Sequence, residues 1–540
     1  MCGITGVFSL NEDVAPRYIA EMTDLIRHRG PDDEGYLAVW TPGKRVQALS
    51  GRDSKVPLPS LSDRQMQANL YLGHRRLSII DTSSAGHQPM CSSDGKHWLV
   101  YNGEIYNFRE LRRELLDRGY RFVSNTDTEV LLAGYSCWGT DLPKLLNGMW
   151  AFVIYDREKN VLVGSRDYAG VKPIYYVHEG DRFAFASEAK SLICLPWVSR
   201  KVNPTAVACY LVEGLDQSAY GGFFEKVREL GPGYQFSLDL TNNKLTQSRY
   251  FQLEWTSASP SVSVREARQI VETVRENVIS AVERHLMSDV KVGSCLSGGI
   301  DSSSIVGVIR ALQRQNELVQ IGSRQLVLTA CYPDSSIDES HWAEKVAREA
   351  GAEWIRTYPT AQGMLESLED LVYTQDFPFA SSSIYAQYCV MKLAREHGIS
   401  VLLDGQGGDE LFTGYPPYYT VYWAELLKQG HWRDIRRELR FLSTADTTVS
   451  QLVGSLVKYA GSRCLPSIRR SMVQKQFRHF PWISTELHGH LQQPITEGAP
   501  FGNLNAELAH LFQGGNLQSL LRYEDRNSMR FSRSEERRVG

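Results

Sequence analysis

The sequence predicts two α/β domains in series: two stacked sheets covered by helices in the first half, then a doubly wound parallel sheet. Three observations lead there. The chain has 540 residues, more than one ordinary core accommodates. Its first half repeats short apolar strands separated by turns, with helices expected near 15–28 and 108–118. Its second half alternates strands, expected at 290–296, 325–332, 353–359 and 399–404, with helical stretches. That alternation implies a parallel sheet with ligands at the strands' carboxyl ends. The composition, 42% apolar and 22% charged, is that of a soluble globular protein. A net charge of -3 argues against a nucleic-acid or anionic-membrane role for the whole chain. No apolar run has spanning length or signal-peptide form, so a cytoplasmic address is expected. The nine cysteines are scattered without a C-x-x-C pair, and disulfides are not expected.

The chain opens with Cys2-Gly3-Ile4-Thr5-Gly6-Val7-Phe8, which reads as a strand. Removal of Met1 would leave Cys2 with a thiol and a free α-amine of reference pKa roughly 7.7–8.0. One residue would then supply nucleophile and base; equally, some residue must follow any Met1. Further on stand Arg27-His28-Arg29-Gly30-Pro31-Asp32-Asp33-Glu34-Gly35, Leu72-Gly73-His74-Arg75-Arg76-Leu77-Ser78-Ile79 and Tyr101-Asn102-Gly103-Glu104-Ile105-Tyr106-Asn107. Asn102-Gly103 reads as a hairpin turn, as an N–H aimed at a ligand, or as both. Asp127 reads either as a helix cap ahead of Val130, Leu131 and Leu132 or as a ligand-binding acid. Strands are expected at 146–155, 161–164 and 182–186. Residues 196–264 read as a connecting segment with some strand character, ending in the Ser/Pro-rich stretch 256–261. Ser187-Glu188-Ala189-Lys190 is assigned to interdomain structure.

The second half is organised around Leu296-Ser297-Gly298-Gly299-Ile300-Asp301-Ser302-Ser303, between an apolar strand and a helix carrying Ile305, Val306, Val308, Ile309 and Leu312. Two glycines let several N–H groups converge on one spot. The helix adds its partly positive N-terminus. The serines add donors, and Asp301 could hold a divalent cation. This is an anion cradle suited to pyrophosphate, and no Gly-Lys-Ser/Thr follows to make it a Walker A loop. The alternative is a plain turn with a helix cap. A second glycine loop, Leu402-Leu403-Asp404-Gly405-Gln406-Gly407-Gly408-Asp409-Glu410-Leu411-Phe412, ends the next strand; Asp409 and Glu410 read as ligands or as first-turn acids. The aromatic, partly basic stretch 416–480 reads as a helical face with buried aromatics.

The 296–303 string resembles the pyrophosphate loop S-G-G-x-D-S-S of ATP pyrophosphatases that adenylate a carboxylate or carbonyl oxygen. With the motifs of the first half, nearly the whole chain resembles the glutamine-dependent asparagine synthetases, class II amidotransferases of the N-terminal-nucleophile type. The resemblance implies an αββα glutaminase domain over 2–195, a connecting segment over 196–264 and an ATP-pyrophosphatase domain over 265–532. It implies that Cys2 attacks the glutamine amide, Asn102 and Gly103 form the oxyanion hole, Arg76 holds the α-carboxylate, and Glu104 and Asp127 hold the α-ammonium. In the second domain it implies that Leu296, Ser297, Gly298, Gly299, Asp301, Ser302, Ser303, Cys331 and Gly405 bind ATP. Asp301 and Asp409 would bind Mg2+. Gln406 stands where some members carry Glu, so no proton-transfer role carries over to it. The implied substrates are glutamine, aspartate and ATP, and a homodimer is compatible with the reading. Two rivals remain open: the same chemistry on another carboxylate, such as a sugar acid or peptide precursor, and a glutaminase alone. Past Ser532 the resemblance stops. Residues 533–540 read as a non-native tail, and the second domain is expected to be truncated there.

Overall fold

β1 (Cys2–Ser9) is buried along its whole length because both of its faces are covered. Ile4 and Phe8 enter one core and Val7 the opposite one, the two-residue alternation of a strand. β1 lies inside a seven-stranded sheet with β2 (Asp33–Trp40), β3 (Arg45–Ser50), β4 (Leu70–Arg76), β9 (Tyr175–Glu179), β10 (Arg182–Ala186) and β11 (Arg228–Glu229), in the order β11-β9-β10-β1-β4-β2-β3. A six-stranded sheet holds β5 (Met90–Cys91), β6 (His97–Ile105), β7 (Gly148–Asp156), β8 (Val161–Arg166), β12 (Tyr234–Asp239) and β13 (Lys244–Arg249), in the order β13-β12-β8-β7-β6-β5. Ile4, Phe8, Leu37 and Leu72 of the first sheet meet Val100, Val153, Leu162 and Phe236 of the second between the layers. The helix Pro16–Asp24 covers the outside of the first sheet through Ile19 and Met22. Helices Phe108–Asp117 and Asp127–Trp138 cover the second through Leu111, Leu115 and Leu131. This is the expected αββα sandwich.

The computed structural model describes residues 1–213, 222–255, 262–333, 335, 336, 338–379, 381–442, 449–464, 484, 487, 490 and 501–537. The Ser/Pro-rich boundary expected at 256–261 and parts of the 416–480 stretch lie outside the described residues. The 196–264 segment requires a correction. It supplies β11, β12 and β13, and Phe236 and Leu238 alternate into the inter-sheet core. A segment that buries an apolar face in this way belongs to the first domain rather than between domains.

The second domain is built on a five-stranded parallel sheet of β14 (Val292–Cys295), β15 (Leu326–Ala330), β16 (Glu353–Thr357), β17 (Val401–Asp404) and β18 (Ser534–Arg537), ordered β16-β15-β14-β17-β18. Four of these strands sit where sequence placed them. β18 falls within residues 533–540, expected as a tail, and pairs from Val401↔Ser534 to Asp404↔Arg537. The chain leaves β14 toward β15 on one side, and β17 lies on the other. The order therefore reverses between β14 and β17, where open α/β sheets bind ligands. The two domains share one apolar cluster: Leu77, Ile79, Tyr106 and Met149 of the first pack with Val292, Leu403 and Met529 of the second, among others. Among the described residues no helix is long and apolar enough to cross a membrane, and the described cysteines are all free.

Phe8 is fully buried between the sheets. Phe8→Ala is therefore expected to destabilise the first domain by about 3–5 kcal/mol, read as a lowered guanidinium midpoint of that domain's unfolding transition. A midpoint unchanged by the substitution would place the sandwich interface elsewhere.

Candidate active site

Cys2 starts β1 and pairs with Arg76 at the end of β4. Its backbone N–H donates to Asn102 Oδ1 at 2.8 Å, and its carbonyl accepts from Arg29 Nε at 3.0 Å. Its Sγ lies 3.9 Å from the Leu77 carbonyl oxygen. The residue faces an open cleft enclosing about 350 Å³, lined by Met1, Cys2, Arg76, Gly103, Glu104 and Asp127 among others. The residues that sequence singled out for one site thus come together around one thiol, from both sheets.

Asn102 is fully buried on β6, and its Nδ2 has no hydrogen-bond partner among the described residues. A buried amide N–H costs free energy when unpaired, so this group is positioned for a partner that the protein itself does not supply. Gly103 is not in a hairpin turn. It lies inside β6 opposite Trp150, and a Cβ there would collide with the Met149 carbonyl. The glycine is needed because β7 passes so close. Asp127 is not the helix cap either: Thr126 caps the helix by accepting from the Glu129 N–H. The Asp127 carboxylate instead accepts from Tyr101 Oη at 2.9 Å and the Ile105 N–H at 3.0 Å. Burial pushes its pKa above the usual carboxylate range; those hydrogen bonds and the chain's α-ammonium pull the other way. The α-ammonium therefore lies within electrostatic reach of Asp127. The Arg76 guanidinium donates to the carbonyls of Asp81 and Ser83, which fixes it at the cleft wall.

The second candidate site lies at the carboxyl ends of β14 and β17. Gly298 has φ +95°, a left-handed conformation that glycine adopts freely. A Cβ there would crowd the Glu339 carbonyl at 2.7 Å. Ser302 Oγ accepts from the Ser297 N–H at 3.2 Å and lies 3.0 Å from Ser297 Oγ, closing the turn. Ser303 Oγ is buried with no partner among the described residues. The two glycine loops touch: a Cβ on Gly405 would meet the Ser302 nitrogen at 2.9 Å, and one on Gly408 would meet the Asp301 carboxyl carbon at 2.5 Å. Asp301 and Asp409 are thereby held on facing loops. Cys331 directly follows β15 and is buried, its N–H donating to the Thr357 carbonyl at 2.9 Å.

Sequence reasoning left Glu410 as one of two loop carboxylates that a first helical turn would also explain. It is 1% exposed, accepts from Tyr415 Oη at 3.0 Å through Oε1, and has no partner for Oε2 among the described residues. Burial first, then the neighbouring carboxylates Asp409 and Asp301, raises its pKa, which two hydrogen bonds partly offset. An acid in a first helical turn reads the same whether exposed or buried, so only the fold reveals it. Asp301, Asp409 and Glu410 bring carboxylates to the two facing loops, while among the described residues the acids whose oxygens lie within 4.8 Å of one another are Asp404, Glu524 and Glu535. The orphaned Ser303 hydroxyl and the glycine-lined approach suit an anion.

A strand-initial cysteine at the edge of a two-sheet sandwich, fused to a parallel sheet with facing glycine loops at its switch point, defines a class: N-terminal-nucleophile glutamine amidotransferase folds joined to a synthetase-type domain. Residues 59–251 match the glutamine amidotransferase domain family, and residues 273–532 match the asparagine synthase family. The chain is 33% identical over 424 residues to asparagine synthetase [glutamine-hydrolyzing] 1 of Bacillus subtilis, covering 77% of this chain and 59% of that protein. It is 30% identical over 445 residues to putative asparagine synthetase [glutamine-hydrolyzing] 2 of Methanocaldococcus jannaschii, covering 79% and 78%. It is also 29% identical over 440 residues to amidase chyE of Penicillium rubens, covering 77% and 60%. The chain belongs to the glutamine-hydrolysing asparagine synthetase family, and the match spans 59% of the Bacillus relative's length.

Because burial raises the Asp127 pKa, the folded state binds that proton more tightly than the unfolded state. Stability then falls as pH rises from the unfolded value, about 3.9, through the folded one. Asp127→Asn keeps an acceptor for Tyr101 and removes the charge. It is expected to raise the melting temperature at pH 7, with a gain that vanishes below about pH 4. A gain that persists in acid would mean that desolvation is not the cause.

Proposed function

We propose that the protein is a two-site ligase: it frees ammonia from glutamine at Cys2 and uses ATP at the facing glycine loops to amidate aspartate to asparagine. The observation that carries this reading is the Asn102 side chain, whose Oδ1 holds the Cys2 N–H while its buried Nδ2 has no partner among the described residues. With Met1 removed, that N–H becomes the α-amine. The amine takes the thiol proton as Sγ attacks the glutamine amide carbon. Asn102 Nδ2 donates to the oxyanion that forms, joined by the Gly103 N–H. The proton passes to the departing ammonia, leaving a glutamyl thioester that water hydrolyses to glutamate. Arg76 would clamp the α-carboxylate with its planar guanidinium. Glu104 and Asp127 would take the α-ammonium, since both line the cleft that Cys2 faces.

In the second site the aspartate β-carboxylate attacks the α-phosphorus of ATP, pyrophosphate leaves, and ammonia then displaces AMP from the acyl adenylate. Leu296–Gly299 with Ser302 and Ser303 would cradle the pyrophosphate, while Cys331 and Gly405 would border the nucleoside. Asp301 and Asp409 would hold Mg2+, which when bound offsets the phosphate charge. The shared apolar cluster from Leu77 and Met149 to Leu403 supports a water-poor route for ammonia between the sites. The aspartate assignment is the part with an open rival. A relative of similar identity carries the name amidase chyE, so amide formation should be compared on aspartate and on other carboxylic acids.

Pyrophosphate release from ATP, dependent on glutamine and aspartate, tests the reading; its absence would refute the ligase. Cys2→Ala is expected to abolish glutamine-driven amide formation and to spare the ammonia-driven reaction. Asn102→Ala should lower glutaminase kcat by about 10²–10³-fold, and Asp301→Ala should stop pyrophosphate release while glutamate release continues. Equal loss of both activities in Asp301→Ala would contradict separate sites.

A further inference from the structure

Neither half-reaction uses Tyr101, yet its backbone, ring and hydroxyl are all held. It stands on β6 between Val100 and Asn102, so its side chain leaves the strand on the face opposite Asn102. The helix Asp127–Trp138 covers that face, and the residue is 2% exposed in the core they share. β5 stops at Met90, opposite Leu99, and past that point two side chains take up the backbone of Tyr101. Its N–H donates to Gln88 Oε1 at 2.7 Å, and its carbonyl lies 3.0 Å from Nε2 of His74, on β4 of the other sheet. Burial pushes the His74 pKa down to about 3, so the imidazole is neutral and Nε2 donates to that carbonyl. The ring lies against Gly103, where a Cβ would meet Tyr101 Cε2 at 2.9 Å. Gly103 is thus bare for two neighbours, β7 and this ring.

The hydroxyl ends at Asp127. Tyr101 Oη donates to Asp127 Oδ2 at 2.9 Å, and the Ile105 N–H reaches the same oxygen at 3.0 Å. Neither bond uses Oδ1. Burial first, then the nearby carboxylates Asp127 and Glu104, lifts the phenol's pKa well above its usual value, so the group stays a donor. Tyr101 and Asp127 both line the cleft that Cys2 faces. A buried carboxylate needs hydrogen bonds whatever its task, and any small hydroxyl would meet that need. A phenol locked at its N–H, its carbonyl and its ring does more: it fixes where the carboxylate points.

We propose that Tyr101 is a positioning residue for glutamine: its hydroxyl holds Oδ2 of Asp127 so that Oδ1 meets the α-ammonium, which sets a preference for the α-amino acid over the same amide without the amine. The inference rests on the assignment of Asp127 to the α-ammonium in the reading above. An ion pair gains from a carboxylate already in place, because less freedom is lost on binding. The contact acts on binding of the amine and not on the amide carbon that Cys2 attacks, so it belongs to KM rather than to kcat.

The readout compares two ligands of the Cys2 cleft. One is glutamine, by its KM for glutamate release. The other is glutaramic acid, which keeps the carboxylate and the amide but has no amine, by its inhibition constant against glutamine. Tyr101→Phe removes one oxygen and keeps the ring. It is expected to raise the glutamine KM about tenfold, the effect of losing a hydrogen bond to a charged group. The kcat and the glutaramic acid constant should stay within about twofold of the unaltered values. Asp127→Asn should raise the glutamine KM as well, and Tyr101→Phe should add nothing in that background, because the two residues act as one unit. An equal rise for both ligands would mean that the ring merely packs the cleft wall, and it overturns the proposal, as does an unchanged glutamine KM in Tyr101→Phe. Should that variant fail to fold, Tyr101→Leu, which also lacks the hydroxyl, decides by the ratio of the two constants. Failure of the underlying reading is separately visible, as an unaltered protein that releases no glutamate or an Asp127→Asn variant with unchanged glutamine KM; either result removes the proposal with it.

Discussion

The structure turns on a hydrogen bond 2.8 Å long between the Cys2 N–H and Asn102 Oδ1. Cys2 belongs to the seven-stranded sheet and Asn102 to the six-stranded one, so the bond ties the sandwich together at its end. It also imposes a condition on the amide of Asn102. With Oδ1 committed to Cys2, Nδ2 is left without a partner among the described residues. The cost of one unpaired buried donor is on the order of 1–3 kcal/mol. An acceptor oxygen at that spot would recover that cost. Packing of the two sheets therefore fixes how Cys2 meets the Asn102 side chain.

The interdomain contact works by a different balance. Apolar packing from Leu77 and Met149 through to Leu403 and Met529 is non-directional and would tolerate small slides of one domain on the other. The buried ion network between the domains, in which Arg29 forks onto the two Asp525 oxygens at 2.8 and 2.9 Å, is directional. Removing one partner of a buried pair leaves an uncompensated charge, at a cost of about 3–5 kcal/mol, so the Arg29–Asp525 fork specifies one relative placement among the many that the apolar surface permits. The apolar cluster holds the domains together, and the charges register them.

How much of this was legible in sequence depends on how local the signal was. The glycine loops at 296–303 and 405–408 were readable because a strand, a tight turn and a helix follow one another within a dozen residues. The cleft residues Cys2, Arg76, Asn102, Gly103, Glu104 and Asp127 were gathered only by resemblance, since their spacing carries no periodicity. Two local readings failed for a shared reason. Asn102-Gly103 has the composition of a hairpin turn and Asp127 that of a cap, yet the former lies within β6, paired with β7, and Thr126 caps the helix. The 196–264 segment looked like a connector because its strands are short and partly polar; β13 lies at a sheet edge, which explains its mostly exposed side chains. Arg29 and Asp525 are 496 positions apart, and nothing in either neighbourhood announces the other.

The placement of charge also explains why the two halves cannot be read as independent modules that happen to share a chain. Glu188 sits in the first domain and is paired there with His28, Lys190 and Arg29, to which Arg526 of the second domain adds a further cation. Those partners hold its carboxyl well below the usual range, against the burial that would raise it. Asp525 is the mirror case: a second-domain acid held low chiefly by Arg29 of the first, with Lys172 and Arg526 assisting. Asp525 thus buries a charge compensated chiefly from the other domain, while Glu188 draws on cations of both. Separating the domains would deprive Asp525 of Arg29, its main counter-charge, and Glu188 of Arg526, so the network ties the first domain to the second domain's helix Asn516–Arg530.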